Sequence, residues 1–201
     1  MVNINDIYLV MRTCAILHDI PETKNIDLKA FENLMSPPVT AAVTVSGTMI
    51  SSQRDQIEII IASNKTDFRD LSGKTDFSSS KIETVLKYFV EEFKIKANTL
   101  GINFILRVPQ DEAQEWILNN ILSSELSKKI NKKLIGGTGN VSFKSGSKTW
   151  NIIFEVNEKN KIGINFNMTE SIKQIPIIKG LKKEFGNLWK FLVKFLTDLG
   201  L

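Results

Sequence analysis

The sequence predicts an α+β fold: a largely antiparallel sheet of about six to seven strands packed against two or three long amphipathic helices, with a short helical N-terminal region. Three observations carry this expectation. Val141 and Phe143 alternate with polar residues, and Trp150, Ile152, Phe154 and Val156 recur at every second position and face one way, as strands with one buried face require. Ile178, Leu181, Phe185, Leu188, Leu192, Phe195 and Leu199 recur at the three- and four-residue spacing of a helix stripe. The tetrapeptide Gly-Ile-Asn-Phe occurs twice, at 101–104 and 163–166, each time in an alternating run that precedes a helical pattern.

Taken in order, residues 3–18 place Ile4, Ile7, Tyr8, Met11, Cys14 and Ala15 at helical spacing. That reads as a first helix ended by Pro21, although the segment is nearly as good a strand. Residues 27–35 form a short second helix, stopped by Pro37 and Pro38. The β-branched runs 39–50 and 56–62 read as a hairpin. Residues 65–79, rich in Ser, Asp and Gly, read mainly as a loop that contains Lys-Thr-Asp-Phe twice. Ser80 and Glu83 have the spacing of a capping box, in which the Ser hydroxyl bonds the third helix amide and the Glu reaches back. The helix behind it buries Ile82, Leu86, Phe89 and Phe93.

In the first Gly-Ile-Asn-Phe strand, Ile102, Phe104, Leu106 and Val108 share a face. Pro109 then opens a helix with Asp111, Glu112 and Glu115 in its positive first turn, and Gly136-Gly137 caps the far end. Residues 139–168 read as a three-stranded meander, in which Ile162, Ile164, Phe166 and Met168 share a face. In both copies the Gly and Asn point the other way, and a one-residue slip would expose every apolar side chain. Pro176 opens the last helix. The organisation that follows is a helical region over 1–36 and an α+β domain over 37–201, the latter divisible into pseudo-repeats 37–133 and 134–201. Four identical residues are close to the chance level in a chain this long, so the repeat rests on context.

The chain has 201 residues, 42% of them hydrophobic and 24% charged, which suits a packed core and not a disordered chain. No apolar run approaches the roughly 20 residues of a membrane helix, and Asp6 and Arg12 spoil the N-terminal segment as a signal peptide. One cysteine, Cys14, rules out an internal disulfide, and a cytoplasmic location follows. The net charge of +4 hides a division: residues 1–127 carry −5 and residues 128–201 carry +9. A basic C-terminal part invites an anionic partner, but its cations are all lysines. Readers of bases and phosphates lean on the arginine fork instead.

Several chemistries fail on residue count. Residues 15–20, Ala-Ile-Leu-His-Asp-Ile, resemble the His-Asp pair of HD-type metal phosphohydrolases. That family gathers several His and Asp ligands from different helices, whereas His18 is the only histidine here. The same count removes the triads built on a Ser or Cys nucleophile unless His18 itself serves. Cys14 lies in an apolar segment, where a thiol is inert. Asp67, Asp70 and Asp76 form an acidic stretch for a hard cation, without EF-hand spacing. Gly136, Gly137 and Gly139 follow a helix and precede a strand, the reverse of a phosphate loop.

What remains is binding without catalysis and without a cofactor. A protein partner, self-association included, is the leading expectation, through an apolar edge of the last helix at Trp189, Val193 and Leu196. The alternative is a nucleic-acid-associated protein that grips the phosphate backbone through Lys128, Lys129, Lys132, Lys133, Lys144, Lys148 and Lys161. A small apolar ligand between the sheet and the last helix is third.

Overall fold

The structure, a computed structural model, describes residues 6–18, 28–122, 138–158, 160–172 and 180–201. Its described strands form one antiparallel sheet: β1 (Tyr8–His18), β2 (Val39–Thr44), β3 (Gly47–Ser52), β4 (Ile57–Ile61), β5 (Lys65–Asp70), β6 (Ala97–Pro109), β7 (Gly139–Ser145), β8 (Lys148–Glu158) and β9 (Lys161–Ser171). Their order across the sheet is β2-β3-β4-β5-β1-β6-β9-β8-β7. The helices are α1 (Leu28–Glu32), α2 (Ile82–Glu92), α3 (Ala113–Asn120) and α4 (Leu181–Asp198).

This corrects the predicted architecture of six to seven strands, two or three long helices and a helical N-terminal region: the sheet has nine strands and dominates. Three segments account for the difference. Residues 8–18 are a strand paired on both sides, with β5 and with β6. A strand buried on both faces loses its period of two, so its apolar run mimics a helix. The run 39–50 holds two strands because the chain reverses at Val45-Ser46. Gly47 makes this possible: its φ is +129°, and a Cβ there would lie 2.1 Å from the carbonyl oxygen of Ile61. Residues 65–70 are a strand despite their polarity, since Thr66, Phe68 and Asp70 face inward.

Among the described residues the element order repeats. A long strand, a helix, a meander and a second helix occur as β1-α1-β2-β3-β4-β5-α2 and again as β6-α3-β7-β8-β9-α4. In each unit the last strand returns beside the first, β5 beside β1 and β9 beside β6. The two first strands pair antiparallel at the centre of the sheet.

The described helices lie on one face. Phe89 of α2 packs edge-on against Phe68 and Phe185 of α4 edge-on against Phe104, Trp116 of α3 lies tilted against Phe154, and Phe31 of α1 meets Tyr88 of α2. Between sheet and helices lies the core, including Ile59, Ile102, Ile152, Ile164, Leu188 and Leu192. The stripe of α4 is therefore core packing, with Lys183, Lys190 and Lys194 exposed behind it. The capping box does not form. Ser80 donates its hydroxyl to Asp70, and Glu83 accepts the backbone N–H of Lys182 at 3.0 Å, capping α4 instead of its own helix. No described helix is long and apolar enough to cross a membrane.

Candidate functional site

On the face that carries no described helix, one row of side chains crosses every strand. The pairing register places Thr40 opposite Ser51, Ser51 opposite Glu58, Glu58 opposite Arg69, and Arg69 opposite Thr13. The row continues from Thr13 to Asn103, Asn167, Asn151 and Ser142. All nine are polar, and neighbours bond laterally. Thr40 and Ser51 share a hydroxyl hydrogen bond of 2.9 Å, and Arg69 lies 3.6 Å from Glu58. Asn103 donates its amide to the Thr13 hydroxyl at 3.0 Å and accepts from the Asn167 amide. Ser142 donates to Asn151 at 2.9 Å.

Aliphatic residues flank this row. Met49 opposes Ile60 on one side, and Ile105, Asn165 and Ile153 align on the other. Met49, Ile60, Ile105 and Ile153 are half-buried. Charges of both signs are interspersed, Lys65 with Asp67 at 3.0 Å and Arg69 with Glu58. A mixed polar and aliphatic surface of this kind can hold a complementary surface by hydrogen bonds and apolar contact. A cavity of about 410 Å³ opens at its β2–β4 end, lined by Thr40, Ser51, Gln56, Glu58 and Leu71 among others.

The helix side holds a buried ion pair. Arg12 and Asp70 are 1% and 3% exposed. Arg12 donates to Asp70 through Nε at 3.0 Å and through Nη2 at 2.5 Å, and to the carbonyl of Lys74 at 3.1 Å. Its guanidinium lies 4.5 Å from the centre of the Phe77 ring. Burial alone would raise the Asp70 carboxyl, but hydrogen bonds from Ser72 and Ser80 and the charge of Arg12 hold it below its ordinary value. The Arg12 bonds to Asp70 and Lys74 and the Ser80 bond to Asp70 tie β1 and β5 to the segment before α2.

The residues singled out in the sequence are scattered. Lys128, Lys129, Lys132 and Lys133 lie outside the described residues, as does the Gly136-Gly137 cap. Lys144 is exposed on the face that carries no described helix. Lys148 pairs with Glu184 on the helix side, and Lys161 lies 2.7 Å from Glu158. Thr169 marks the row of Lys144, so eight residues of β9 separate that row from Lys161, roughly 27 Å at about 3.4 Å per residue. Trp189 packs on Phe77 and Phe104, Val193 is half-buried and Leu196 is fully buried.

The acidic stretch disperses too. Asp67 faces Lys65, Asp70 holds Arg12, and Asp76 accepts from Ser78 at the start of a 3-10 turn. No group of three metal-ligating side chains forms among the described residues. His18 is buried, with Nε2 2.8 Å from the Thr66 hydroxyl. Burial, with Asp67 nearby, pushes the Cys14 thiol up to about 12.

Sequence reasoning missed the polar row as a unit. Alternation does place Asn103, Asn151 and Asn167 on the outer face of their strands. Arg69 is hidden because its segment reads as a loop, and Thr13 because its segment fits a helix slightly better than a strand. No protein-family model matches the chain, and no curated protein matches it.

Proposed function

We propose that this chain is a non-catalytic binding protein that presents to another protein the sheet face that carries no described helix. The observation that carries the reading is the half-exposed set Met49, Ile60, Ile105 and Ile153 beside a nine-residue polar row, on a face that no described helix covers. Amide and hydroxyl side chains that already bond laterally lose little on being covered, because their partners stay in place. The aliphatic residues gain by burial, at about 25 cal/mol per Å².

A nucleic-acid partner has less support. The rings of Phe104, Trp150, Phe154 and Phe166 face the helices, away from any base. The test compares the wild-type chain with Ile105→Glu and Ile153→Glu variants. Each is crosslinked in the source cell, and captured proteins are identified by mass spectrometry. The expected result is a defined protein captured by the wild type and lost in both folded variants, with a protein-like 260/280 nm ratio. A raised ratio at low salt that collapses at high salt would instead select phosphate contacts.

A further inference from the structure

We propose that β2 is a self-association edge, through which two copies pair antiparallel and join their sheets into one. β2 ends the strand order, and among the described residues no strand pairs with its outer side. Thr40 through Thr44 are exposed. An edge strand offers a row of unpaired backbone N–H and C=O groups, and proteins usually blunt it with charge, proline, a bulge or a cover. The β2 sequence Val-Thr-Ala-Ala-Val-Thr contains no charge and no proline, and its register with β3 runs unbroken from Val39 to Thr44. Val43 and Val45, in the strand and the turn after it, are 89% and 108% exposed. The opposite edge is managed differently. β7 carries Lys144, and its inward Phe143 packs near Phe191 and Phe195 of α4.

The strand is complementary to itself. With a two-fold axis at Ala42, that residue faces its own copy and Thr40 faces the second copy's Thr44. On the other face Ala41 meets the second copy's Val43, and Val39 meets its Val45. Thr opposes Thr, aliphatic opposes aliphatic, and the residue on the axis is small enough for close approach. No like charges meet. A strand with a net charge would repel its own copy, whereas this one carries none. These features select a second copy over an unrelated extended segment, because β2 holds no charge that would choose a foreign sequence.

The test uses the full chain in analytical ultracentrifugation over a wide concentration range. The wild type should form a dimer that dissociates on dilution. Ala42→Lys and Ala42→Glu should each raise the dissociation constant at least tenfold, while circular dichroism shows an unchanged fold. Mixing the two variants should restore a dimer, because the axis sets residue 42 beside its own copy. An Asn140→Lys control on β7 should dimerise like the wild type. A wild type that is monomeric at every concentration overturns the proposal and leaves the edge to an extended segment of another protein. A dimer retained by both single variants, or a mixture that stays monomeric, also overturns it. Ala42 lies opposite Met49 and Asn140 opposite Ile153, so the separation from the partner-binding reading comes from the readout: the purified chain is measured alone, and only self-association can change its mass.

Discussion

Phe104 and Phe166, the aromatic residues of the two Gly-Ile-Asn-Phe copies, sit directly opposite each other on adjacent antiparallel strands, their ring centroids 6.0 Å apart. The copies therefore occupy the first and last strands of one structural unit, β6 and β9, not equivalent places in two. Their likeness reflects a shared environment. Each strand buries one face against α4 and turns the other to the polar row. Both rings are fully buried, so Phe104→Ala and Phe166→Ala should each cost about 3–5 kcal/mol. The double variant should cost less than the two single losses combined, by about 0.5–1.5 kcal/mol, in urea unfolding.

The polar row makes its own prediction at Asn103. Its amide donates to Thr13 and its carbonyl accepts from Asn167, so it links the two central strands to β9. Asn103→Ala should lower stability by about 1–2 kcal/mol, because it strands the buried Thr13 hydroxyl and the half-buried Asn167 amide. Asn151, which bonds only Ser142 within this row and lies nearer the edge, should cost less on the same change.

Acid should weaken the fold through Asp70 and Asp55. Both carboxyls are held below their ordinary 3.8, in each case against a burial effect that would raise them. Asp55 owes this to bonds from Ser36 and Lys81. A depressed folded value means the stabilisation is present above the unfolded value and is lost as pH falls through the folded one. Urea midpoints should therefore drop below about pH 4, and more shallowly in Asp70→Asn. At neutral pH that variant should lose about 3–5 kcal/mol, since it leaves the Arg12 charge buried without its counter-ion. Arg12→Met combined with Asp70→Leu should lose less.

The single thiol gives a direct check on the central strand. Cys14 is fully buried and its thiol is pushed up to about 12. A thiol reagent at pH 8 should leave the native chain unlabelled and modify one equivalent in denaturant. If residues 8–18 were instead a peripheral helix, part of the label would enter without denaturant.

The sequence made some of this structure legible and hid the rest for physical reasons. The alternation of 139–168 and the stripe of the last helix were readable because each element has one wet face and one dry face. β1 was not, because its Thr13 and Ala15 are buried on the face opposite Cys14 and Ile16. β5 was not, because two of its three inward residues are polar, and Thr66 and Asp70 find partners only through the tertiary fold. Lys65-Thr-Asp-Phe is a strand while Lys74-Thr-Asp-Phe runs into a 3-10 turn, so identical tetrapeptides took their structure from context. The polar row depends on register across nine strands, which no local pattern encodes.

Glu83 shows how a local rule was redirected by the tertiary structure. Its spacing from Ser80 fits a capping box, yet its carboxylate caps the first turn of α4, ninety-nine residues away in sequence, through the Lys182 amide. The α2 N-cap position, Lys81, makes no side-chain cap bond. A carboxylate at the first turn of an 18-residue helix meets unpaired amides and the positive end of the helix dipole, and both favour it. Glu83→Gln should keep a weaker cap and lose a few tenths of a kcal/mol, whereas Glu83→Ala should lose about 1 kcal/mol. The loss should appear as faster amide exchange at Lys182 and Lys183, with exchange in α2 unchanged. A capping box at α2 would give the reverse, with exchange accelerated at the Ser80 amide, which the Glu83 carboxylate would accept there, and α4 left as it was.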